Sequence, residues 1–99
     1  MPTEQTSSST PGLRAIREAI GLSKTDLARI LEVAPFAVGA WESGLRNARA
    51  DNVRGLAEAL SCTTDDLWSI PAGARIAEIR AAYHQREADR AREEARAAS

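Results

Sequence analysis

The sequence predicts an all-α fold, five short helices followed by one long helix, and three observations carry that expectation. Apolar residues recur at three- and four-residue spacing from Leu13 onward. Ser/Thr patterns ending in aspartate, "SKTD" at 23–26 and "TTDD" at 63–66, open two of the periodic segments as capping boxes do. Glycines and prolines then close the segments at short intervals. At 99 residues there is room for one domain plus extensions.

Residues 1–12, "MPTEQTSSSTPG", are polar and low in complexity and read as a disordered tail. From Leu13, the spacing of Leu13, Ile16 and Ile20 predicts a first helix ending at Gly21. Ser23 caps a second, whose buried stripe is Leu27, Ala28, Ile30 and Leu31. "VAP" interrupts it, because the residue before a proline is driven out of the helical region while proline suits a first helical position. A third helix therefore runs from Pro35 to Ser43 and stops at Gly44. The polar loop "LRNARAD" leads to a fourth helix near 50–60 with Val53, Leu56, Ala57 and Leu60 inward, its cap being Asn47 or Arg49. Thr63 starts a short fifth helix bearing Leu67 and Trp68, and Pro71 ends it. These elements make a domain over 13–70.

Residues 71–99 read as a long C-terminal helix. Alanines at 74, 77, 81, 88, 91, 95 and 98 keep a three-four alternation interrupted only by His84, which matches a heptad seam. Ile76, Ile79 and Tyr83 form a separate apolar stripe and are the expected dimerisation residues.

Composition excludes several classes. No apolar run approaches membrane-spanning length, and the N-terminus lacks the basic flank and apolar core of a secretory signal. Cys62 has no second cysteine to pair with, so a cytoplasmic setting is expected. His84 has no Cys or His at ligand spacing, no nucleophile has an evident base, and neither an enzyme nor a metal or other cofactor is expected. The net charge of −1 is low for a nucleic-acid binder, but positive charge gathers in the first half: residues 12–54 hold seven Lys or Arg against five acids.

A helix, a "GLS" turn, a capped second helix, a tight break and a short third helix form the helix-turn-helix pattern. "LRAIREAIGLSKTDLARILEV", then "VGAWESG" and "LAEALSCTTDDLW", resemble the lambda-repressor-like, Cro-type helix-turn-helix family over residues 13–68. The resemblance implies a five-helix domain in which the second and third helices form the turn unit. It also implies that Leu27, Ala28, Val33, Val38 and Trp41 are core. The chain departs from the family where bases are normally read: Lys24 replaces a common glutamine, Ala34 a common serine, and Pro35 and Phe36 stand at commonly polar positions.

With Val38 and Trp41 inward, a step of about 100° per residue puts Phe36, Gly39, Ala40 and Ser43 outward. That face carries a single hydroxyl. It could contact thymine methyls, dock another protein, or lie beneath the C-terminal helix. Lys24, in the first turn of the second helix, and Arg46 and Arg49, in the loop after the third, are the expected phosphate contacts. Pro35 and Asn47 complete the expected DNA-binding set, with Arg14, Arg17 and Arg54 as lesser candidates. Cys62, Trp41 and Trp68 read as core, and Glu42 as a partner for Arg46. The function expected is that of a sequence-specific transcriptional repressor of phage or mobile-element type, binding duplex DNA as a homodimer. The rival is a protein-interaction module, such as an antitoxin, anti-repressor or assembly subunit.

Overall fold

A computed structural model describes residues 10–98 as six helices, with no strand among the described residues. They are α1 (Gly12–Ile20), α2 (Lys24–Leu31), α3 (Pro35–Ser43), α4 (Ala50–Leu60), α5 (Thr64–Trp68) and α6 (Gly73–Ala98). Leu13, Ile16, Leu27, Val38, Val53, Leu56, Leu60 and Leu67 are almost wholly buried in one core, where α1 meets α4, α5 and α6 and where α2 packs on both α3 and α4.

The N-terminal boundary differs from expectation. Residues 1–9 of the expected tail lie outside the described residues, but Thr10 is buried and Gly12 already belongs to α1. A Cβ on Gly12 would fall 2.2 Å from the Asp66 carbonyl oxygen and 2.4 Å from that of Ser69. The start of α1 therefore rests directly on the backbone of α5, which only glycine permits.

Caps explain most helix ends. The Ser23 hydroxyl accepts from the Asp26 amide at 2.9 Å, and Thr63 and Asp66 form a reciprocal capping box. The end of α2 comes earlier than the proline implies. Glu32 takes a left-handed conformation (φ 60°), and the Val33 amide returns to the Ala28 carbonyl at 2.9 Å. A glutamate gives no sign of that in sequence, since the conformation is unfavourable for it. Arg49, not Asn47, precedes α4, without a side-chain cap bond. Ile30 is 52% exposed rather than inward, because the buried side of α2 is the narrow one carrying Leu27 and Ala28. Trp68 is 39% exposed rather than core, and lines an open cleft between α4 and α5 with Ala50, Val53, Arg54 and Thr64. Cys62 is half-buried, and burial raises its thiol pKa to about 11, so it stays protonated at neutral pH.

The long helix divides in two. Its first half belongs to the domain, with Ile79 1% and Tyr83 8% exposed within their own chain. Two of the three expected dimerisation residues are thus taken up within their own chain, where an isoleucine and a tyrosine four residues apart pack in the core. Ile76 is only partly buried. Arg75 grips the Asp66 carboxylate with two bonds of 3.1 and 2.8 Å. Arg86 donates to the carbonyls of Glu58 and Ala59 at the end of α4, at 2.6 and 2.9 Å. Beyond Glu87 every residue to Ala98 is exposed, and the ion pairs there are local: Arg90 with Glu87, Arg92 with Asp89 and Arg96 with Glu93.

Candidate nucleic-acid interface

The α2–turn–α3 unit presents α3 at the surface. Ala34 is extended (φ −70°, ψ 144°), Pro35 supplies the first helical residue, and the left-handed Gly44 (φ 82°) terminates the helix. Val38, Ala40 and Trp41 are buried. Ala40, expected outward, is 2% exposed. The loop after Gly44 folds back here, and the Arg46 amide reaches the Ala40 carbonyl at 3.2 Å. Inward residues from Val38 round to Ala40 thus span an arc of roughly 160°, wider than Val38 and Trp41 alone suggest. What remains outward is a wedge of Pro35, Phe36, Gly39 and Ser43, with Phe36 61% exposed and Gly39 half-covered. A helix lying over this face would not leave Phe36 so exposed, so the face is not beneath the C-terminal helix.

Two cations lie against that wedge. A Cβ at Gly39 would meet only the Lys24 side chain, its Cδ and Nζ both at 3.9 Å, so the lysine stem crosses the glycine. The Arg46 guanidinium sits over the Phe36 ring, 5.6 Å from its centroid, a cation–π arrangement worth about 0.5–1 kcal/mol at an exposed site. Asn47 and Arg49 are exposed in the same loop, which the buried Ala48 pins to the core.

Two of the three remaining basic candidates, Arg17 and Arg14, are paired with carboxylates of the chain. Arg17 is 7% exposed and meets Glu42 through two bonds of 2.5 and 3.1 Å, while a third reaches the Leu22 carbonyl at 2.8 Å. Glu42 therefore pairs with Arg17 and not with Arg46, and ties the C-terminal end of α3 to α1. Arg14 bonds Glu18 at 3.0 Å along α1. That bond, with the charges of Arg14, Arg17 and Lys24, holds the Glu18 carboxyl below its ordinary pKa. Arg54 lines the α4–α5 cleft. Sequence reasoning passed over Leu45, which is 68% exposed beside Arg46. A leucine just after a helix-ending glycine ordinarily packs back on its helix, so the sequence holds no signal for this one.

Among the described residues, no group of three or more His, Cys, Asp or Glu side chains is placed to hold a metal ion, and no helix is long and apolar enough to cross a membrane. A family model described as helix-turn-helix matches residues 13–67, which spans α1 through most of α5. The chain belongs to the lambda-repressor-like helix-turn-helix family. It is accordingly a DNA-binding transcription regulator of that type. Neither curated proteins nor solved structures gave a match. For a member of this family, α2 and α3 are the turn unit and α3 is the helix in the recognition position.

Proposed function

We propose that the chain is a sequence-specific repressor of phage or mobile-element type, acting as a cytoplasmic homodimer with α3 of each copy in the DNA major groove. The observation that carries this reading is the pair of cations at the exposed wedge, Lys24 across Gly39 and Arg46 over Phe36. Both can reach phosphates flanking an inserted α3, and Arg49 and Asn47 extend the contact along the same loop. Arg17 drops out of the phosphate set because Glu42 already neutralises it.

A dimer is favoured because one short, weakly polar helix binds feebly, whereas two related by symmetry read half-sites about 34 Å apart. With Ile79 and Tyr83 in the core, the joint moves to the opposite side of α6. Ala77 and Ala81 lie about 200° round the helix from Ile79, and the run Ala74, Ala77, Ala81, His84, Ala88, Ala91, Ala95 and Ala98 is exposed throughout. Substituting Ala88→Glu is expected to give a monomer in sedimentation without loss of helicity. An unchanged dimer would place the joint elsewhere.

Salt titration tests DNA binding itself. Affinity for duplex should fall steeply as salt rises, and Arg46→Ala with Arg49→Ala should flatten that slope. If the double variant binds as the parent does, the regulator reading fails at this interface. The second reading, a protein-docking surface, is favoured by the exposure of Phe36 (61%) and Leu45 (68%). Under it, Phe36→Ala removes a protein partner and leaves duplex binding as it was.

A further inference from the structure

We infer that α3 reads its site through the C5-methyl groups of pyrimidines, with Phe36 as the contacting side chain. This rests on the DNA-binding reading above and deepens it.

The inference comes by elimination over the wedge. Pro35, Phe36 and Gly39 have no side-chain donor or acceptor. Ser43 has one hydroxyl, and it is engaged at home: it donates to the Ala40 carbonyl at 3.3 Å and accepts from the Leu45 amide at 3.4 Å. Ala40 has withdrawn into the core. The exposed side of α3 therefore carries no uncommitted side-chain donor. Base edges in the major groove display acceptors, amino donors and one apolar feature, the thymine methyl. The side chains of α3 itself can distinguish only the last, the donor beside them being the Lys24 ammonium of α2.

Placement agrees with this. Phe36 is the second residue of α3, and the N-terminal residues of a recognition helix are the ones that meet base edges. Its ring is steadied by the Arg46 guanidinium at 5.6 Å, which also brings a phosphate-binding cation next to the probe. Gly39, one turn further on, leaves the helix flat there, with only the flexible Lys24 side chain alongside.

A methyl at C5 is common to thymine and 5-methylcytosine. The two differ in the group at C4, which a phenyl ring does not register by hydrogen bonding. The site thus takes C5-methylated pyrimidines as a class, and cytosine methylation should create or strengthen binding sites.

The test uses the full chain and duplexes that it selects from a random pool. Each thymine of a selected half-site is replaced in turn by deoxyuridine, by cytosine opposite guanine, and by 5-methylcytosine opposite guanine. At one position or more, thymine and 5-methylcytosine should bind alike, and deoxyuridine and cytosine should each bind about four-fold more weakly, or about fifteen-fold when both half-sites are changed, the effect of burying one methyl apiece. Phe36→Ala should erase the thymine-to-deoxyuridine ratio. Because Phe36 is exposed, this variant keeps the fold, and its circular dichroism serves as the control. Deoxyuridine binding as thymine does at every position, a ratio that survives in Phe36→Ala, or a pool bound without sequence preference each overturns the inference while DNA binding stands. Failure to retain any duplex at low salt overturns the DNA-binding reading and this inference with it.

Discussion

Helices α3 and α5 are both short and both carry a tryptophan, yet they use polarity in opposite ways. Around the start of α5 polar groups are engaged in bonds. Thr63 and Asp66 cap each other, Asp66 also holds Arg75 of α6, and the carbonyls of Asp66 and Ser69 lie against Gly12. On α3 no side chain caps the N-terminus, and the outward wedge is apolar. Its one strong polar tie is Glu42 to Arg17, at the far end from Phe36. Hydrogen bonding around α5 goes into assembling the domain, whereas α3 is fastened at its C-terminal end and left bare at its N-terminal end.

The comparison can be broken at four points, in decreasing order of effect. Arg17→Ala leaves Glu42 buried without a counter-charge and should cost about 3–5 kcal/mol in urea unfolding. A loss below 1 kcal/mol would mean that α3 is fastened by something else. Gly12→Ala forces a methyl against two backbone oxygens of α5 and should cost about 1–3 kcal/mol as overpacking. A neutral result would show that α1 and α5 do not touch there.

Acid exposes the role of Asp66. The hydrogen bonds from Arg75 hold its carboxyl well below the ordinary carboxylate pKa, with Thr63 adding to the effect. A carboxyl whose pKa is lower in the folded state contributes stability that is complete above the unfolded value of about 3.9 and is lost as pH falls toward the folded one. The melting-temperature gap between the parent and Asp66→Asn should therefore be largest at neutral pH and shrink below about pH 4. A gap that widens on acidification would contradict the pairing. The smallest effect sharpens the comparison from the other side. Phe36→Ala should change stability by no more than about 0.5 kcal/mol, because the ring is exposed, while altering binding.

Much of the framework was legible in the residues. Helix order, the capping box at Thr63, the stop at Gly44 and most of the core follow from periodicity and from turn chemistry within a few residues of chain. The candidate site was legible in part. Lys24 and Arg46 stand by the wedge as their positions near the turn unit implied. Arg17 does not, since its burial depends on Glu42, 25 residues away. Ala40 was misplaced because the buried arc of α3 is wider than the one that Val38 and Trp41 define on a helical wheel.

The sequence by itself determined the helices, their boundaries to within a residue or two, and the family of the turn unit, because caps, prolines and three-four spacing act over distances shorter than a helix. Only the tertiary structure decided which charged and apolar residues were left exposed. Ile79 and Tyr83 go to the core of their own chain, Arg17 and Arg75 to carboxylates on other helices, and Ala40 to the buried side of α3. Each of these outcomes depends on groups distant in the chain meeting in space, and local pattern holds no record of such meetings.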